Sequence, residues 1–195
     1  MATSVYESDI PSNSIGLLAG LVGRKLVNMI KFNNVPEQEL IDNYYMEPDE
    51  FFPQALGPML FYFEDGLVIG GGSIPSKNSV VMWVEKKENG KHREWLQEED
   101  ERAIPFYAKD YEEWDIYLDQ FVESVTIIKE IPESDSKKLG LPNERGVLIK
   151  FENGLDLIMS HGLHDCSDSE SLIKLKDINP YFEGRLEFIS IGKFD

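Results

Sequence analysis

Two stretches of this chain repeat one pattern of apolar and polar positions. Residues 59–69 and 147–157 each place an apolar run, then Phe-Glu-(Asp/Asn)-Gly-Leu, then a second apolar run. Asp-Gly or Asn-Gly between two β-rich runs is a strong hairpin signal, because a type I′ turn needs positive φ at both central residues. Phe63-Glu64-Asp65-Gly66-Leu67 and Phe151-Glu152-Asn153-Gly154-Leu155 are therefore read as hairpin tips. The correspondence extends outward. Residues 25–32 and 124–131 read as strands feeding the two hairpins, and residues 78–84 and 169–175 as strands leaving them. Matching elements in matching order predict two related antiparallel β-modules of about four strands each, the product of an internal duplication. A last strand is expected over 184–191.

Helix spacing interrupts this pattern twice. Pro36 to Tyr45 has proline near its start, early acids, and apolar residues at 40, 41, 44 and 45. Lys109 to Phe121 aligns Tyr111, Trp114, Tyr117, Leu118 and Phe121 on one helical face, with acids on the other. The charged stretch 88–100 reads as a long turn or a short helix. The expected fold is α+β, mainly β, with two or three short helices inserted or flanking. It forms one domain of two modules, roughly 15–95 and 119–195, joined by an acidic helical segment, 96–118. At 195 residues the chain can bury a core without disulfide or metal staples, and its single cysteine excludes a disulfide framework. Residues 1–14 lack lysine and arginine, and the run Ile15 to Val22 is too short to span a bilayer, so the expected location is cytoplasmic.

Charge sharpens the picture. The formal net charge is −17, which opposes autonomous binding to nucleic acid or an anionic membrane. Residues 34–55 hold six acids and no base, and residues 94–123 hold eleven acids against Arg102 and Lys109. These two windows carry nearly all of the excess, and half of the chain's aromatic residues lie in them. One explanation is a pair of amphipathic helices with aromatics inward and acids in water. The other is a docking surface for a basic protein, with Phe51, Phe52, Trp95, Phe106 and Tyr107 as candidate anchors.

Motifs for chemistry are weak. His161-Gly162-Leu163-His164-Asp165-Cys166, with Asp168, crowds metal-ligand residue types into one loop, but zinc sites draw on two separated pairs. Cys166 lacks a nucleophile signature around it. Gly70-Gly71-Gly72-Ser73 has no Gly-Lys-Ser/Thr to make a phosphate loop, and reads as a strand-end kink or bulge. No cofactor, metal or catalytic residue is assigned, and a non-enzyme is favoured.

In size, localised acidity and its repeated Phe-Glu-(Asp/Asn)-Gly-Leu hairpins, the chain resembles the bacterial immunity proteins of contact-dependent and secretion-delivered toxin systems. That resemblance implies recognition of one cognate toxin by steric block. A nuclease toxin is basic around its active site, so an acidic surface would complement it. On charge and aromatic character the contacts are assigned to Glu98, Glu99, Asp100, Glu101, Glu112, Glu113 and Asp115, with Trp95 and Tyr107 as anchors. The alternative is a small-molecule-binding or regulatory β-domain with a pocket between the modules, near Trp83 and the His161–Cys166 loop.

Overall fold

The fold was analysed in a computed structural model, which describes residues 9–55, 57–85, 104–134 and 136–192. Ten antiparallel strands and four short helices make up these residues, an α+β fold that is mainly β. Strands β1 (Lys25–Asn33), β2 (Met59–Phe63), β3 (Val68–Ile74) and β4 (Ser79–Val84) pair consecutively. So do β6 (Gln120–Glu130), β7 (Glu144–Phe151), β8 (Asp156–His161) and β9 (Glu170–Ile173). The order β4-β3-β2-β1-β6-β7-β8-β9 is a palindrome about the β1–β6 seam. Only Lys25 and Leu26 pair with Phe121 and Gln120 there. Beyond the seam the two strands take different partners: β5 (Ile104–Tyr107) pairs with the end of β1, and β10 (Leu186–Ile191) with the end of β6. Each half thus has five strands where the sequence pattern suggests about four.

The halves correspond in detail. Both β1 and β6 break register close to the seam, between Leu26 and Asn28 and between Val122 and Ser124. Gly23 and Asp119 both have left-handed backbone, with φ of 83° and 61°. Gly23 donates its N–H to Val122 O and Asp119 to Leu26 O. The hairpin tips are also alike, but their turns are not type I′. Only Gly66 and Gly154 are left-handed (φ 86° and 85°), and each donates to the carbonyl of the phenylalanine that opens its turn. A three-residue connection carrying glycine at a bulge needs only that one residue at positive φ.

Burial explains why the strands read as near-continuous apolar runs. The inner faces of both halves share one core that includes Met29, Phe61 and Met82 from the first and Val125, Ile149 and Met159 from the second. The outer face of the second half has its own cluster, Ile128, Leu148, Ile158 and Phe182, and that of the first has Ile30, Phe32, Leu60 and Val68. A strand buried on both faces loses the alternation of a half-exposed one. The Gly70-Gly71-Gly72 run lies in register inside β3, with no bulge. A side chain at Gly70 would meet the Trp83 ring at 2.0 Å, and one at Gly71 would meet Met159 Sδ at 2.1 Å. Glycine is there for close approach.

A buried polar network ties the start of β4 to the second half. Asn78 donates to Glu130 Oε2 (3.0 Å) and Asn143 Oδ1 (2.7 Å), and accepts from Arg145. Arg145 also donates to Gly162 O (3.0 Å). No helix among the described residues is long and apolar enough to cross a membrane.

Candidate functional site

The long insertion between β1 and β2 builds one wall of the site. Helix α2 (Glu37–Tyr44) follows Pro36 as expected. Helix α3 (Pro48–Gln54), which the sequence pattern does not announce, begins with proline and with Glu47 N–H donating to Glu50 Oε2 at 3.0 Å. Phe51 and Phe52 of α3 are buried. They pack on Phe106 (ring centroids 6.5 Å apart) and Trp114 (5.5 Å).

The opposite wall is α4 (Glu112–Asp115), a single turn. The helix expected from Lys109 to Phe121 does not extend further, because Asp119 turns left-handed and Gln120 begins β6. Pairing at the seam overrides helix periodicity over this stretch. Two of its aromatics are buried all the same: Trp114 stacks on Tyr117 (5.7 Å, 25°), whose hydroxyl donates to Asp156 O at 2.8 Å. With Trp114 held inward, Glu112 and Glu113 are turned outward.

Between these walls lies an open groove of about 660 Å³. Glu37, Asp49, Asp110, Glu112 and Glu113 line it together with Pro48, Phe51, Tyr111 and Trp114, and none of the described lysines or arginines does. The Tyr111 hydroxyl donates to Glu37 Oε1 at 2.9 Å and links α2 to the approach to α4. Burial, and then that carboxylate, hold the Tyr111 phenol above its ordinary range, so it remains a neutral donor. An adjoining cleft of about 210 Å³ shares Asp49, Glu113 and Trp114 and adds Lys174 and Lys176. Lys174 Nζ reaches Glu113 Oε2 at 3.1 Å. Five carboxylates around one concavity concentrate negative potential there, which favours a cationic partner.

Of the contacts assigned from sequence, Glu112 and Glu113 line the groove. Asp115 is exposed on the same turn but does not line it. Tyr107 faces the other way, half-buried in the outer cluster with Ile30, with the Lys109 ammonium 5.4 Å from its ring centre. Trp95, Glu98, Glu99, Asp100 and Glu101 lie outside the described residues. Phe51, Phe52 and Phe106 are core residues, and of the three only Phe51 lines the groove. Glu37, Asp49 and Asp110 were not singled out by the sequence. Their acidity was legible, but their convergence depends on how α3 packs against α4.

The remaining candidates are structural in character. His161 is fully buried, and neither ring nitrogen has a hydrogen-bond partner among the described residues. Its Nε2 stands 3.7 Å from Asp168 Oδ1. Burial, and next the neighbouring Arg145, push its pKa down to about 4, so it is neutral at physiological pH. His164 and Asp165 are exposed, as is the thiol of Cys166. Among the described residues, no group of three or more His, Cys, Asp or Glu is placed to hold a metal ion. Lys31 is fully buried on β1, donating to Pro53 O at 3.3 Å. Burial pushes its pKa down to about 8, opposed by Glu170 across the core, whose own pKa burial raises. The void between the two halves near Met82 and Met159 measures about 10 Å³ and is lined by apolar side chains. Trp83 is occupied in packing over Gly70 and in donating to Glu85 Oε2 at 2.6 Å. No protein-family model matches the chain, and no curated protein or solved structure matches it at a significant level.

Proposed function

We propose that this protein is a stoichiometric inhibitor of a basic protein, an immunity protein that occludes the active site of a cognate toxin such as a nuclease within the cytoplasm. One observation carries the proposal. Two acidic segments that are separate in sequence, 34–55 and the described part of 94–123, line a single groove whose described lining includes no lysine or arginine. Acids that served only solubility would have no reason to converge. A concave negative surface steers a positive partner and raises its association rate without chemistry of its own.

The same reading takes the two halves as copies of one ancestral unit, a four-stranded meander whose fifth strand returns to pair with the first. The palindromic strand order and the paired register breaks support that origin. The groove then lies where the copies differ: 25 residues, 34–58, join β1 to β2, but only 131–143 join β6 to β7. The small-molecule alternative has less to support it, since the void described between the halves measures about 10 Å³ and is lined by neither Trp83 nor the His161–Cys166 loop.

The test is a pull-down from the native host at low and high salt, with wild-type and Glu112→Lys/Glu113→Lys chains as parallel baits. The proposal expects one strongly basic protein, retained by the wild type at low salt and lost with the charge reversal. Equal retention by both baits at both salt concentrations would reject groove docking.

A further inference from the structure

Helix α2 has the spacing of an amphipathic helix, but most of its apolar face is left exposed. Of Leu40, Ile41, Tyr44 and Tyr45, only Leu40 is buried. Ile41 is 43% exposed, Tyr44 58% and Tyr45 85%. Tyr45 caps the helix with left-handed backbone (φ 54°), its N–H donating to Leu40 O. Glycine or asparagine is the ordinary choice at that position, because a bulky side chain there costs about 1 kcal/mol or more. The fold gains nothing from a tyrosine held at that cost with its ring in water. Large exposed aromatics in a cluster are the side chains that anchor protein interfaces.

The surroundings of this face identify what covers it. Glu37, Glu39, Asp42 and Glu47 lie on or beside α2, and residues 34–55 contain no lysine or arginine. A second copy of the chain would bring two such acidic rims together, and an anionic membrane would repel them. A basic protein with an apolar pocket ringed by lysine or arginine complements both the rings and the rim. We propose that Ile41, Tyr44 and Tyr45 are the hydrophobic anchor by which the basic partner docks, while the adjoining groove supplies the electrostatic contact. This inference rests on the function proposed above and divides the interaction into two parts with different responses to salt. The anchor buries apolar area and is insensitive to ionic strength, whereas the groove contributes charge that salt screens.

The experiment titrates the basic protein recovered in the pull-down, once purified, against the full chain by calorimetry at about 0.1 and 0.5 M NaCl. Tyr44→Ser/Tyr45→Ser removes only exposed rings, so its thermal midpoint stays within about 2 °C of wild type. It is expected to weaken binding by about a hundredfold at both salt concentrations. Glu112→Lys/Glu113→Lys should weaken binding chiefly at low salt. If the double serine variant binds within about twofold of wild type while the charge reversal still weakens binding, the anchor is wrong and groove docking stands. If neither variant changes the affinity, or no basic protein is recovered, both fall. Sedimentation of the chain alone provides the remaining outcome. A dimer at high salt that the serine variant abolishes would assign the face to a second copy and overturn the inference.

Discussion

Gly70, Gly71 and Gly72 are indistinguishable in the sequence, and only their neighbours separate them. A methyl group at Gly70 would enter the Trp83 ring and one at Gly71 would strike Met159, whereas at Gly72 the nearest atom is 3.7 Å away. Gly70→Ala and Gly71→Ala should each cost about 2 kcal/mol or more, and Gly72→Ala less than about 1 kcal/mol, by urea denaturation. His161 gives a second prediction at this scale. Its folded pKa of about 4 lies below the ordinary 6.5. Between those values the unfolded chain binds a proton that the folded chain refuses. The histidine therefore costs nothing above pH 6.5, and stability is lost as pH falls from 6.5 toward 4, by about 2–3 kcal/mol in all. His161→Leu should flatten this acid limb, as followed by thermal midpoints across that range. Neither behaviour was legible from residue type. The sequence marks His161 as a candidate ligand, and its burial beneath the loop after β8 makes it a neutral core residue.

Elements differ in how far local sequence determines them. The two Phe-Glu-(Asp/Asn)-Gly-Leu tips are self-contained, since one glycine and one carbonyl close each turn, and both fall where the sequence places them. Helix α2 is likewise announced by Pro36 and its early acids, yet the partner for its apolar face is not. The stretch 109–121 misleads because its helical stripe of Tyr111, Trp114 and Tyr117 packs against the core through one turn and the bend that follows, while seam pairing claims Gln120 and Phe121 for β6. Strand β5 is too short to carry a pattern and exists because the end of β1 offers an unpaired edge. The junction at Asn78 also depends on tertiary structure: its amide serves Glu130, Asn143 and Arg145 together. Asn78→Ala leaves two buried charged groups short of partners and should cost about 2–4 kcal/mol, measured by urea denaturation. Asn78→Asp places a carboxylate beside Glu130 and should be no milder.

For the whole molecule, the excess negative charge proves to be more than a diffuse property. The sequence locates it in two windows, and folding brings part of both to the groove between α3 and α4, beside the exposed face of α2. The rest of the chain forms a two-half β scaffold whose polar interior groups, Lys31 with Glu170 and the Asn78 network, join one half to the other. The consecutive pairing within each half was legible from the hairpin repeat, because it is local, whereas the β1–β6 seam and the fifth strand on β1 were not. The groove was not, since it depends on how an insertion in the first half meets the opening turn of the second. The most direct test of the central claim is the affinity for the purified basic partner between about 0.05 and 0.5 M NaCl, for wild type and for Glu112→Lys/Glu113→Lys. Docking through the groove predicts a steep loss of wild-type affinity with salt, about a hundredfold over that range, and a markedly shallower dependence for the charge reversal. Parallel salt dependences for the two chains would contradict it.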